Sequence, residues 1–351
     1  MPILNGKTLK IVETYCYLGI IIHNSGELRT AQSTLKLKSM RAFFGLKRTI
    51  IRSKLSFKAL TTLFDSLIKP IVLYGAPIWT PSCAINKTII NLLKSKLENV
   101  NNFTSKISRT ESEKFHLSFL KWALGVHRKA SNIGVWGESG RYPLIYQSIR
   151  LTLNYYNRLL KVSHNTFVHA ALKEQKLLKL PWYKNIEPLL KLDEIYHLDH
   201  VSAFRMANTS TNQENHTNDI TKKPLSNILS LVAAKPLPSK KFRIQKIVDT
   251  LRNHFKRCWE HEKSNSSKLS FYHQHKSKFA REVYLDETKG FSRRYNTTKL
   301  RISAHELKIE RGRYSDIPRE DRICNWCNIS MGVKKLKTKI MYFLSVTCML
   351  T

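Results

Sequence analysis

Two sets of residues have types and spacings that could do chemistry. The first is Cys324-Asn-Trp-Cys327, with Cys348 further along. A pair of thiolates in a Cys-x-x-Cys turn can grip a zinc ion, but a structural zinc site takes four ligands. Cys348 supplies a third. No histidine follows Cys327, and His305 could complete the set only if the chain folded back on itself. The alternative is free thiols in a reducing compartment, so no cofactor is required. The second set is Lys38, Arg41, Arg48 and Arg52. On a helix these four fall within an arc of roughly 80°, and no Asp or Glu occurs between Glu27 and Asp65. Cations on one helix face without counter-charges suit a phosphate backbone. Leu35, Met40, Phe43, Phe44, Leu46, Ile50 and Ile51 occupy the other side and would seat the helix on a core. Lys36 and Lys47 project toward that apolar side and would have to snorkel. An ordinary solvated face is the competing reading.

Other chemistries lack their residues. There is no Gly-x-x-x-x-Gly-Lys-Ser/Thr loop, no Gly-x-Gly-x-x-Gly turn, no His-Glu-x-x-His and no Gly-x-Ser-x-Gly. No two Asp residues are adjacent, whereas two-metal phosphoryl transfer needs clustered carboxylates to hold its cations. Asp65, Asp193 and Asp249 sit in basic surroundings and are expected to form local charge pairs. His116, His127 and His305 are isolated and are expected to be structural. No catalytic residue is nominated, and the chain is not expected to act as an enzyme.

The elements that must position these residues are mostly helical. Sixty Lys and Arg stand against 25 Asp and Glu, a formal net charge of +35, while 42% of residues are hydrophobic. A core is therefore expected inside a cationic shell, and a polyanion would relieve the self-repulsion. Coding sequence rich in A and T would also inflate Lys, though it does not account for the shortage of acids. Strand-like runs cover Leu9–Glu13 and Tyr15–Ile22, with Asn24-Ser-Gly26 as a turn. Helical periodicity predicts Arg29–Ile51, Ser56–Leu73 (its stripe clearest up to Pro70), Glu111–Leu124, Pro143–Val162, Phe167–Leu178, Ile186–Tyr196, Lys241–Lys263 and a short helix near Leu300–Glu310. The polar, proline-bearing stretch at 205–240 reads as a linker. It separates regions 1–82 and 83–204 from a basic C-terminal region, 241–351, that carries the cysteines. The fold class is mainly α with a short N-terminal β-hairpin. No signal peptide or membrane-spanning run is evident, so a nuclear or cytoplasmic, non-secreted protein is expected.

Four segments, read in order, resemble the C-terminal part of the polyprotein of non-LTR (LINE-type) retrotransposons, most like the RTE or Jockey types. Tyr15-Cys-Tyr-Leu-Gly-Ile-Ile-Ile22 is similar to the Tyr-Leu-Gly hairpin that follows the reverse transcriptase palm. Leu67 to Trp79 is similar to the Pro-x-x-x-Tyr-Gly-x-x-x-Trp segment of the thumb. His116–Gly125 with Val135-Trp-Gly-Glu-Ser-Gly-Arg-Tyr-Pro-Leu144 resembles the family's Leu-Gly-Val and Gly-Glu-x-Gly-Arg-x-Pro segment. Arg301 to Arg313, leading to Cys324 and Cys327, resembles the approach to its terminal knuckle. The resemblance implies that residues 1–82 are palm edge and a helical, thumb-like bundle, with post-thumb helices and a small Cys-bearing module after them. It implies RNA, DNA or an RNA–DNA hybrid as partner, bound through the backbone by Lys38, Arg41, Arg48 and Arg52. The family's Tyr-Ala-Asp-Asp has no counterpart in this chain, and Tyr342 stands where the knuckle's His would be. A truncated, non-catalytic remnant is the expectation. The alternatives are a basic protein–protein interaction protein, with Tyr155–Tyr156 and Phe271–Tyr272 as contact aromatics, and the tail of a complete RNA-directed DNA polymerase.

Overall fold

A computed structural model of the chain describes residues 3–4, 7–8, 11–51, 54–83, 103–163, 165–191, 240–287, 290–318 and 321–322. The fold is mainly helical with a short antiparallel hairpin near the N-terminus. Two compact units are each assembled from separate stretches of chain. The first comprises Met1–Tyr74, Leu97–Ile145 and His254–Thr351, the second Gly75–Lys96 and Tyr146–Asn253. The stretch expected as a linker lies outside the described residues except for Lys240.

In the first unit, two-residue strands β1 (Ile3–Leu4) and β2 (Lys7–Thr8) pair with each other. The main hairpin joins β3 (Thr14–Tyr17) to β4 (Ile20–His23), with Tyr15 opposite Ile22 and Tyr17 opposite Ile20. This corrects the sequence reading, which ran one strand through Tyr15–Ile22 and placed another at Leu9–Glu13; the turn expected at Asn24–Gly26 is present where β4 ends, with the Gly26 N–H donating to the His23 carbonyl at 2.9 Å. The hairpin's own turn is Leu18-Gly19, both at positive φ (46° and 81°). That geometry matches the twist of a two-residue hairpin, and Gly19 adopts it without strain where Leu18 does not. What holds Leu18 there comes from far along the chain. The Tyr74 hydroxyl donates to the Leu18 carbonyl at 2.8 Å, and its ring lies 3.5 Å from where a Cβ on Gly19 would sit.

Helix α1 (Arg29–Thr49) buries Ala31, Gln32, Leu35, Ser39 and Phe43, a stripe at four-residue spacing. Helix α2 (Phe57–Val72) is capped by Ser56, whose hydroxyl accepts from the Ala59 N–H at 3.1 Å. It runs through Pro70 by widening into a π turn at Phe64–Ile68. Pro70 lacks an N–H and its ring would collide with the carbonyl four residues back, and a wider turn accommodates both. Phe43, Phe64, Phe115, Phe119 and Trp122 form one aromatic cluster, with Phe64 stacked on Phe119 at 4.3 Å between centroids and Phe43 edge-on to Trp122 at 5.1 Å. Ring pairs of this kind contribute about 0.5–1.5 kcal/mol beyond their buried area.

Three of those rings belong to α5, the helix Glu111–Leu124, which occupies the predicted span. Glu111 and Glu113 lie in its first turn, and Gly125 ends it in the left-handed region at φ 69°. The other helices of this unit are α4 (Phe103–Ser108), α6 (Asn132–Ser139), α11 (Ser270–His275), α12 (Tyr284–Glu287), α13 (Phe291–Arg301) and α14 (Lys308–Arg311). The short helix expected near Leu300–Glu310 is thus corrected to two. Ser303 at φ 55° breaks the chain between them, and buried Ile302 and Ala304 hold that break in the core.

The second unit has α3 (Ala76–Cys83), α8 (Phe167–Leu177), a helix α9 over 181–191, and the greater part of α7 (Leu144–Leu159) and of α10 (Lys240–Asn265) by length. Pro181 opens α9, where its missing N–H costs nothing. The Trp182 indole donates to the Pro77 carbonyl at 2.8 Å. Tyr155 meets Trp182 edge-on, and Tyr156 lies against Tyr183.

Candidate nucleic-acid interface

The acid-free helix α1 is held by its buried stripe, leaving a continuous outer face. Lys38, Arg41 and Arg48 are all exposed on it, and among the described residues none of the three has an ion-pair partner. From Lys38 to Arg48 the helix rises roughly 15 Å, enough to meet three or four successive phosphates of one strand. Lys47 and Arg48 also lie in the last turn, where the helix dipole favours cations. Arg52 lies outside the described residues.

The two lysines expected to snorkel behave differently. Lys36 forms an ion pair with Glu111 at 2.6 Å, and that carboxylate also takes Lys114 at 2.5 Å. Burial alone would raise the Glu111 carboxyl, but the two lysines outweigh it and hold it below the usual range. Lys47 lies over the Trp122 ring at 5.9 Å from its centroid. The apolar arc is also narrower than the wheel suggested. Phe44, placed in that arc, is 49% exposed, as is Leu37 beside it at 55%. They stand one helical turn from Arg41 and Arg48, so the outer face alternates apolar and cationic groups.

Cys324, Cys327 and Cys348 lie outside the described residues. Among the described residues no group of three or more His, Cys, Asp or Glu is arranged to hold a metal ion.

The segment Trp136 to Pro143 organises the interior of the first unit. Glu138 is fully buried. It accepts from Arg301 Nε at 3.0 Å and from the Tyr284 hydroxyl, while Arg301 also reaches Glu282 at 3.1 Å. Burial pushes the Glu138 carboxyl up, against the pull of Arg301 and Tyr284. Gly137 faces Tyr272 and Trp259, leaving no space for a Cβ, since one there would lie 2.4 Å from the Tyr272 hydroxyl. Arg141 makes a two-pronged pair with Asp65 at 2.5 and 3.0 Å, and Lys69 joins at 2.9 Å. Burial opposes ionisation of Asp65, but Arg141 and Lys69 prevail and hold its carboxyl below the usual range. Its main partner is therefore not local, being 76 positions away. Asp249 does pair locally, with Arg252 at 3.5 Å, and Asp193 lies outside the described residues.

Glu113 has a different set of donors. Its carboxylate accepts from the Trp136 indole at 2.8 Å and from the Leu144 N–H, at the start of α7, at 2.7 Å. His116, equally buried, places Nδ1 3.0 Å from it. This histidine is a packing residue. Gly140 sits at φ 62°, and a Cβ there would come within 2.1 Å of the Arg281 backbone nitrogen. Gly140→Ala is expected to destabilise the fold by at least ~2 kcal/mol, from left-handed strain plus overpacking. A urea midpoint unchanged from the wild type would refute that reading of the turn.

The aromatic pairs considered for protein contacts are largely internal. Tyr156 and Tyr272 are buried, and Tyr155 and Phe271 are half-buried. No single helix among the described residues is long and apolar enough to cross a membrane. Comparison of the chain with protein-family models, with curated proteins and with solved structures found no match.

Proposed function

We propose that this chain binds nucleic acid through the phosphate backbone, as the thumb and post-thumb part of a non-LTR retrotransposon reverse transcriptase, and that it synthesises no DNA by itself. The observation that carries the reading is the outer face of α1, with Lys38, Arg41 and Arg48 exposed and without carboxylate partners among the described residues. The ordered resemblance of four segments supports the ancestry, and the absence of paired aspartates from the sequence supports the lack of catalysis. The aromatic cluster anchors the inner stripe of α1, and Glu111 draws Lys36 aside from its outer face.

Backbone binding releases condensed counterions, so affinity for an RNA–DNA hybrid or duplex DNA should fall with salt. Three phosphate contacts give a log–log slope of about −2.7, or roughly 40-fold between 50 and 200 mM salt. Fluorescence anisotropy across a salt series measures it, and a flat response would exclude the proposal. Primer extension with this chain and Mg²⁺ tests the second half. Template-dependent synthesis would overturn the non-catalytic reading while leaving the binding reading intact.

A further inference from the structure

A second cationic cluster forms where α5 ends, from three separated parts of the first unit. Gly125 turns the chain there, and the Tyr295 ring fills the space a Cβ would need, 2.3 Å away. The loop that follows carries His127, Arg128 and Lys129, all exposed. Lys121, in the last turn of α5, donates to the Arg128 carbonyl at 2.8 Å, and the Lys129 N–H donates to His127 Nδ1 at 3.1 Å. Lys268 arrives on the short turn Ser267–Leu269, which buried Ser303 fixes by donating to the Lys268 carbonyl at 2.6 Å. The third part is Tyr314, on the turn Gly312–Tyr314, a residue 59% exposed. Lys268 Nζ donates to the Tyr314 hydroxyl at 3.2 Å. Lys129 Nζ and Lys268 Nζ each lie 5.8 Å from the centre of that ring.

Glu306 acts on His127 from nearby, but the cluster's cations are not paired with it. Among the described residues Lys121, Arg128, Lys129 and Lys268 have no ion pair. The electrostatic consequence is visible in its members. Burial lowers the Lys121 ammonium to about 8, and Lys268 and Arg128 add to the effect. His127 is lowered by burial, then by Lys268 and Lys121, with Glu306 pulling weakly the other way. Burial is the larger cause in both; the neighbouring cations add to it, and a bound anion would relieve that added part. Beside it, Ser267, Arg313, Asp316, Ile317, Pro318 and Arg322 line a shallow cleft of about 480 Å³. Arg313 spans its wall, donating to the Ser267 carbonyl at 3.3 Å.

We propose that Tyr314, with Lys129, Lys268 and Arg128 around it, is a binding site for single-stranded nucleic acid: the phenol ring stacks on an unpaired base and the cations take the flanking phosphates. Both ammonium groups lie over the ring, so an incoming base takes the place of one on its face and the displaced lysine takes a flanking phosphate. Exposed rings are the stacking platform such strands use, and bases stacked in a duplex cannot reach them. Only the class of polymer is shared with the α1 reading. The residues differ, and either site can fail without the other.

The test compares an oligothymidylate of about twelve nucleotides with a duplex of equal length. Tyr314→Ala is expected to weaken the single strand about tenfold and leave duplex affinity unchanged, while Tyr314→Phe keeps the stack and the affinity. Lys129→Glu with Lys268→Glu should weaken the single strand further. Affinity of the wild type should also fall as pH rises through about 8, where Lys121 loses its charge. Tyr314 is exposed, so circular dichroism should show all these variants folded. Unchanged single-strand affinity in Tyr314→Ala would overturn the proposal, as would equal loss for both ligands. So would displacement of the oligonucleotide by inorganic phosphate at an equal concentration of phosphate groups, which would leave only an anion site. Weak duplex binding with the Tyr314 effect intact would count against the α1 reading alone.

Discussion

Arg301→Leu is expected to destabilise the first unit by about 3–5 kcal/mol, because it leaves a buried carboxylate without its cation. Glu138 is fully buried, and its described side-chain donors are Arg301 and the Tyr284 hydroxyl. With Arg301 gone, Glu138 must ionise unpaired or keep a proton. Its folded pKa, already pushed up by burial, then rises further. Such a carboxyl binds more protons folded than unfolded. Stability therefore falls as pH climbs from the ordinary carboxyl range through the folded pKa. The variant should accordingly be more stable in mildly acidic than in mildly basic buffer, by urea midpoint. Removing both charges, as Glu138→Leu with Arg301→Met, should cost less than Arg301→Leu alone, since no ion is left stranded. A single-variant loss below about 1 kcal/mol would show that water reaches the pair.

Reversing charge at Lys38, Arg41, Arg48 and Arg52 together should reduce affinity for every duplex or hybrid, whatever its sequence, by at least a hundredfold or so near 0.1 M salt. The salt slope should flatten from about −2.7 toward zero. Folding should be unaffected, because Lys38, Arg41 and Arg48 are exposed and hold no partner among the described residues. Lys36→Glu is the informative contrast. It would set two acids against each other at Glu111 and weaken the fold, with little direct effect on binding. Equal affinity in the fourfold variant and the wild type would reduce α1 to a solvated surface.

The sequence made some of this legible and hid the rest for identifiable reasons. Helix Glu111–Leu124 was readable at both ends because its first-turn acids and Gly125 act locally. The hairpin was visible as a β run and through its likeness to a Tyr-Leu-Gly hairpin, but local propensity alone did not mark Leu18-Gly19 as its turn. A leucine at positive φ is locally unfavourable, and the tyrosine that braces it lies 56 residues away. Break points set by packing, such as Ser303, leave no composition signal either. The cationic ridge could be seen on a wheel, whereas the exposure of Phe44 depended on which neighbour α1 met. The segment from Trp136 to Pro143 stood out as a motif, yet its purpose is spatial. Glu138 meets an arginine 163 positions on, and no periodicity encodes such a meeting.

Several of the acids serve more than one donor. Asp65 holds Arg141 and Lys69, Glu111 holds Lys36 and Lys114, and Glu282 holds Lys276 and Arg301. Glu113 joins an indole, a histidine and a helix start without any Lys or Arg. With 60 cations to 25 acids, the acids are the scarce members. Losing one of the abundant exposed lysines removes a single replaceable charge. Losing one shared acid orphans several groups at once, so the sensitivity of the fold's stability should be concentrated in a few carboxylates, while the many exposed cations bear on binding and little on folding.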